Sequence, residues 1–297
     1  MQSEHVNLCA VCHSDKISHY LECKDHFVSG ESFHIASCEA CGFCFTSARP
    51  LENGIAAYYE SDDYVSHSKN DTGLINRLFH LSRIYTLWHK KRLVNKYAQG
   101  KNILDYGCGT GDFLATMIAS GWNCLGVEPN EKARQIASSK SKLTVSDESG
   151  LSKLSDGSLQ AITLWHVLEH IYPLEERLES FSRLLDEKGT LFVAVPNMLS
   201  FDAKIYGEHW AAWDVPRHIY HFTPDSITRL MKQFGFELVK SKGMLLDAFY
   251  ISLLSEKYKN GKSNFPKAML NGVRSNVSAF LGKGHYSSLI YIFKKSE

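Results

Sequence analysis

The sequence predicts an α/β protein: a seven-stranded, mostly parallel sheet with helices on both faces, a small cysteine-bearing module ahead of it, and a helical insertion before the last strand. Three observations carry that expectation. Beyond residue 101, short apolar runs alternate with helical patterns, as in a parallel sheet covered on both sides. The first of those runs ends in three glycines at alternate positions, Gly107, Gly109 and Gly111. Finally, six of the eight cysteines fall within the first 44 residues.

Taken in order, residues 1–50 read as a separate module that closes near Arg49 and Pro50, since proline cannot continue a strand ladder. Residues 51–100 read as a helical linker or lid, in which Leu74, Ile75, Leu78, Phe79, Ile84, Tyr85 and Trp88 recur at three- and four-residue spacing on one helical stripe. The remaining domain, 101–297, should carry strands at 102–106, 123–128, 143–145, 159–165, 190–196, 236–241 and 288–293. Helices should follow Thr110, Glu131, Leu174 and Pro224, the last with Thr223 as its N-cap. Residues 244–285 are too long for a hairpin and too apolar for a plain loop, so they read as a helical insertion.

Charge narrows the choice of partner. The chain has 297 residues with 33 Lys and Arg against 32 Asp and Glu, a formal charge of +1, so no global field draws it to nucleic acid or anionic lipid. One local exception exists: residues 74–101 hold seven Lys and Arg and no acid. That stretch reads as a solvated face, as a surface that neutralises a diphosphate-linked acceptor, or as one resting on lipid headgroups. With neither a leader-like start nor an apolar run of membrane-spanning length, a cytoplasmic location is expected.

Cys9 and Cys12, then Cys38 and Cys41, form two C-x-x-C pairs. Each turn offers half a tetrahedron, and together they offer Zn²⁺ four sulfurs at about 2.3 Å. Four protein ligands leave no open position, so a structural zinc is expected rather than free thiols or a redox pair. Cys44 could exchange with a ligand but reads, like Cys23, as a buried thiol. Residues 1–50 carry three basic and six acidic residues, which argues against a nucleic-acid-binding ribbon.

The segment Asp105-Tyr106-Gly107-Cys108-Gly109-Thr110-Gly111-Asp112 joins a strand to a helix. Alternating glycines let backbone approach a ligand where any Cβ would collide, and such a bend at the carboxyl edge of a first strand admits a nucleoside-bearing cofactor. Nineteen residues beyond Gly109, Glu128 stands at the end of the second strand, where a carboxylate can accept both ribose hydroxyls. The dinucleotide fingerprint G-x-G-x-x-G is not met, and Asp112 at the helix mouth should repel a pyrophosphate but tolerate an amino group and a sulfonium. S-adenosylmethionine is therefore favoured over NAD. With D-x-G-x-G-x-G and the strand-terminal acid, residues from about 85 to 297 resemble the class I S-adenosylmethionine-dependent methyltransferases, which have a Rossmann-like fold.

That resemblance implies that Gly107, Gly109 and Gly111 line the methionine moiety, that Asp105 holds the loop or the amino group, and that Glu128 binds the ribose. It implies an adenine contact from Ser146, Asp147 or Glu148, of which Asp147 is preferred, and a segment from Leu164 to His170, with Trp165, passing under the sulfonium. Gln160 departs from the family's usual Asp. The zinc-ribbon-like module, ending Cys41-Gly42-Phe43-Cys44-Phe45-Thr46-Ser47-Ala48-Arg49-Pro50, and the tyrosines and acids at 58–64 are similar to bacterial sugar and cell-envelope methyltransferases.

For acid-base chemistry the candidates are His166, His218 and His221, whose imidazoles titrate near neutrality. His170 reads as a capping or supporting residue, and His218 with His221 as too few ligands for a second metal. Trp210, Trp213, Arg217 and Tyr220 make the loop before Pro224 rich in groups that stack on rings or bind anions, or that pack a lid. The acceptor expected is a small molecule, a sugar or a nucleotide- or lipid-linked sugar, with peripheral membrane contact allowed and nucleic acid disfavoured. The alternatives are an RNA or protein methyltransferase and a non-catalytic binding protein of the same fold.

Overall fold

A computed structural model of the chain describes residues 3–59 and 74–296. The N-terminal part holds β1 (Ser3–His5), β2 (Ile17–Lys24), β3 (Ser32–Cys38), β4 (Cys44–Thr46) and β5 (Ala48–Pro50). A long helix, α1 (Leu74–Tyr97), leads into the alternating region. There the chain runs β6 (Asn102–Tyr106), α2 (Asp112–Ile118), β7 (Asn123–Val127), α3 (Glu131–Ser141), β8 (Leu159–Trp165), α4 (Leu174–Leu184) and β9 (Leu185–Pro196). It continues through α5 (Phe201–Tyr206), β10 (Tyr220–His221), α6 (Pro224–Gln233), β11 (Phe236–Gly243), α7 (Asp247–Asn260), α8 (Phe265–Leu281) and β12 (Ser288–Lys295).

Capping explains why several helices start where they do. Asn130 accepts the Ala133 N–H at the head of α3, and Thr223 and Ser226 form a reciprocal capping box on α6, with Pro224 in its first turn. The expected helices at 112, 131, 174 and 224 are thus present, and the insertion is the α7–α8 hairpin.

Among the described residues the main sheet has six strands in the order β11-β12-β9-β8-β6-β7. The pairs β6/β7, β6/β8 and β8/β9 are parallel, while β9/β12 and β12/β11 are antiparallel. The expected seventh strand at 143–145 is absent; only a single bridge, Val127 to Ser146, stands in its place. The cause is local: the Asp147 carboxylate accepts the Ser149 N–H and bends the chain at once into a 3-10 turn over Glu148–Lys153. Gln160, at the family's usual Asp position, accepts the Asn102 N–H and donates to Asp186, tying three neighbouring strands together.

The N-terminal sheet, order β10-β4-β3-β2, takes its edge strand from residues 220 and 221. Val11, Phe43 and Phe45 of the N-terminal part belong to the same buried cluster as Leu104, Tyr106, Phe222 and Phe293 of the main domain. Arg217 joins the two regions. Its guanidinium donates to Asp25 at 2.9 Å, to Asp214 at 2.7 and 3.1 Å, and to the Tyr58 carbonyl at 3.0 Å, and the Asp25 side chain is wholly buried. Burial would raise the Asp25 pKa, but Arg217 and the Ser29 N–H hold it below the ordinary carboxylate value.

The helical stripe foreseen near residue 80 faces outward where it is described: Ile84, Tyr85 and Trp88 are exposed, while Leu93 and Val94 are buried. The side chains of Leu74, Ile75, Leu78 and Phe79, and the segment 60–64, lie outside the described residues.

Removing one partner of a buried ion pair strands the other. Arg217→Ala should therefore cost about 3–5 kcal/mol of stability in urea denaturation, and Arg217→Lys should restore only part, because an ammonium cannot serve both carboxylates in a fork.

Candidate functional site

The strand order reverses between β6 and β8, and a cavity of about 660 Å³ opens at their carboxyl ends. Asp105, the glycine bend and Trp165 form its floor; α1 and the α7–α8 hairpin form its walls. The three glycines do different work. A Cβ on Gly107 would sit 2.5 Å from Val167, and one on Gly111 would sit 2.9 Å from Ala137, so both are required by packing as well as by φ values of +70° and +80°. Gly109, at φ +55°, has nothing within 4 Å of a built Cβ, so a side chain there would occupy the open space of the cavity.

Glu128 holds the bend from behind. Its Oε2 accepts the Gly109 N–H at 2.8 Å and its Oε1 the Asn130 N–H at 2.9 Å. Burial raises its pKa and these two N–H groups oppose the rise. Asp105 lines the cavity, accepts the Thr163 hydroxyl at 2.7 Å, and is pushed up to about 7 by burial, against that hydrogen bond and the charge of Lys90. Lys90 stands 4.7 Å over the Trp165 ring, whose Nε1 is buried without a hydrogen-bond partner among the described residues. Asp112, expected to repel a pyrophosphate, is instead neutralised within the chain by Arg83 and by Lys140 at 2.8 Å.

Asp147 stands apart from the cavity, exposed and engaged with Ser149. Neighbouring Glu148 is bound by Tyr106 and Arg177. Trp210 and Trp213 are buried with their indole N–H groups on Asp202 and the Gly207 carbonyl, so with Arg217 they pack the fold rather than face the cavity.

The histidines separate by environment. His166, at a left-handed φ of +61°, lies 3.1 Å from Asp247 and 3.4 Å from Glu169. Burial alone would lower its pKa, yet the two carboxylates hold it up at about 9, so it is an imidazolium at neutrality. Asp247 reaches the cavity wall from the first turn of α7. The pairing was not legible beforehand, because an acid in an insertion 81 positions away gives no local signal. His221 is buried, donates to Thr46 at 3.2 Å, and is pushed well below its ordinary value by burial, which fits packing and not proton transfer.

His218 and His170 converge on Glu169 instead. Each Nδ1 lies 2.9 Å from a carbonyl, of Ala212 and Arg217 respectively, and a carbonyl only accepts, so each Nδ1 carries a proton. The Tyr59 hydroxyl also stands 2.9 Å from the His170 Nδ1. One ligand atom from each of Glu169, His170 and His218 lies within 4.8 Å of the others, and such a trio could hold a cation or share a proton.

The second donor set is that of Cys9, Cys12, Cys38 and Cys41, again with sulfurs within 4.8 Å of one another. Cys9 and Cys41 are 3.5 Å apart, as are Cys12 and Cys38, and the Val11 N–H points at the Cys9 sulfur. Four thiols so gathered match the tetrahedral sulfur set of a structural zinc. Cys23 and Cys44 lie elsewhere as buried thiols, raised by burial to about 12 and about 11.

Glu128→Ala would free the Gly109 and Asn130 N–H groups and loosen the bend. Calorimetry with S-adenosylhomocysteine should then read about 1.5–3 kcal/mol weaker binding.

A family model described as a methyltransferase domain matches residues 82–241, over half of the chain. A ubiquinone biosynthesis O-methyltransferase of Cupriavidus pinatubonensis is 27% identical over 158 residues, 49% of this chain and 64% of that protein, so under two thirds of that relative's length is spanned. Among solved structures, a SAM-dependent methyltransferase from Archaeoglobus fulgidus aligns with TM-score 0.50 and 20% identity, covering 72% of this chain and 94% of that one. A magnesium protoporphyrin IX methyltransferase from Synechocystis, solved with bound SAH, aligns with TM-score 0.50 and 14% identity over 80% of this chain and 97% of that one. The order of strands, the glycine bend and the matched span agree: this chain belongs to the methyltransferase-domain family and has the fold of its SAM-dependent members.

Proposed function

We propose that the chain methylates a hydroxyl of a small molecule, a sugar or a nucleotide- or lipid-linked sugar, with S-adenosylmethionine as donor. The observation that carries this reading is the cavity itself, which puts the glycine bend, a buried carboxyl and an acid-base pair on one wall system. The residues present fit the donor. Open space stands over Gly109, the buried Trp165 N–H has no partner among the described residues, and Asp105, pushed up to about 7 by burial, would accept a hydrogen bond from an ammonium group, which favours its ionised form. When bound, S-adenosylmethionine supplies an electrophilic methyl group on a sulfonium. Gly107, Gly109 and Asp105 would hold its amino-acid end, and Glu128, by keeping the bend in place, would support the sugar end.

The chain's own contribution is to orient and to handle a proton. Asp247 is the cavity-facing carboxylate, and His166 donates to it from behind while Glu169 balances the imidazolium. An acceptor hydroxyl at the cavity wall would hand its proton to Asp247; His166, already cationic, positions that carboxylate rather than acting as base. Walls of Phe249, Leu253, Phe265 and Met269 exclude water, which strengthens each of these interactions. The same walls favour a second reading, an acceptor with an apolar ring or tail, to which the name of the Cupriavidus relative also points. The four cysteines would hold a structural zinc that fixes the two N-terminal knuckles against the main domain.

Asp247→Asn should lower kcat about 100-fold or more, with S-adenosylmethionine affinity little changed. Transfer of radiolabelled methyl groups to nucleotide-sugar and lipid-sugar pools measures it, and absence of labelling of any small molecule by the wild type would sink the reading. His166 is raised above its ordinary 6.5, so its contribution is complete below that pH and is lost as pH rises through about 9. Activity and stability should both fall on that alkaline limb, and in His166→Asn the limb should vanish. Elemental analysis should find about one zinc per chain, and Cys38→Ser should remove it and lower the melting temperature.

A further inference from the structure

Helix α8 is inside out. The face it buries carries Ala268, Asn271, Gly272, Ser275 and Ala279, whereas its large apolar residues point to solvent. Leu270, Val273, Val277, Phe280 and Leu281 follow one another at helical spacing along that outer face, and Phe280 and Leu281 are 79% and 77% exposed. The inversion is forced by close packing on the inside. A Cβ on Gly272 would lie 2.6 Å from the Phe249 ring, and Ser275 and Asn271 are tied to Asp202 and Tyr206. No larger side chain fits there, so the large residues have only the outer face.

Charge says what covers that face. Residues 257–285 contain six Lys and Arg and no acid. Across the mouth of the 660 Å³ cavity, α1 repeats the pattern: Leu81, Ile84, Tyr85 and Trp88 are exposed, and the surrounding residues 74–101 are basic without an acid. A second copy docking face to face would set one cationic rim against its own image. An anionic lipid surface would instead receive the apolar side chains at the headgroup boundary and the cations among the phosphates. Among the described residues no helix is long and apolar enough to cross a membrane. A helix lying in the interface needs no such length.

We propose that α8 and the exposed stripe of α1 dock on an anionic membrane surface, so that the cavity mouth between them opens towards lipid. This does not depend on which acceptor the cavity takes.

The full chain is tested by co-sedimentation with vesicles of phosphatidylcholine alone or with about 30% phosphatidylglycerol. Binding to the anionic vesicles at least about tenfold tighter than to the neutral ones, and released by salt, is the expected result. Phe280→Glu with Leu281→Glu, both at exposed positions, should abolish it, and reversal of Lys262, Arg274 and Lys283 to Glu should weaken it about 100-fold. Far-ultraviolet circular dichroism and melting of both variants should match the wild type. Absence of binding to anionic vesicles overturns the proposal, as does binding that survives Phe280→Glu with Leu281→Glu. Light scattering that finds a dimer dissociated by that same variant also overturns it, assigning the face to a second copy.

Discussion

A charge removed from water must find its counter-charge, and in this molecule that requirement is met at Arg217. The guanidinium is buried between the N-terminal sheet and the main domain, and its partners come from three segments: Asp25 in the loop after β2, Asp214 in the loop before β10, and the Tyr58 carbonyl. Holding those segments together fixes the loop that delivers His218 to Glu169 and β10 to β4. Hydrophobic burial brings the layers into contact, but it is non-directional. The forked hydrogen bonds of Arg217 supply the registration that burial lacks.

The buried groups of this chain show how like side chains can be driven to different protonation states by environment alone. Asp105 and Asp25 are both buried carboxyls, but Asp105 has a hydroxyl and a distant ammonium for company and rises to about 7, whereas Asp25 meets a guanidinium and stays low. His166 and His170 lie four positions apart and diverge further. His166 between two carboxylates is held at about 9, and His170, half-buried and desolvated beside His218, falls to about 4. The site therefore offers a cation at His166 and a neutral imidazole at His170 within a few residues of one strand end.

The parts of the fold that were legible in the sequence are those encoded over short distances. The glycine bend, the Thr223 cap and the two cysteine knuckles each declare themselves within a dozen residues. The short 143–145 segment misled because its apolar residues match a strand pattern while Asp147 terminates the pairing through a side-chain hydrogen bond that a pattern does not weigh. The outward direction of the α1 stripe was not legible, since helical spacing gives the period of a face and not its direction. Histidines 218 and 221 look equivalent in sequence. They part company because successive strand and loop positions send one towards Glu169 and the other onto Thr46. Asp247, Arg217 and Glu169 acquire their meaning from partners that only the folded chain brings near.

The pairing of β10 with β4 has an outcome for synthesis on the ribosome. The knuckles that gather the four thiols are complete once residue 41 has emerged, but the edge of β4 stays open until residues 220 and 221 arrive. Between the emergence of residue 41 and that of residue 221 the nascent chain thus carries the four gathered thiols beside an unpaired strand edge, and that edge is closed by a segment of the main domain.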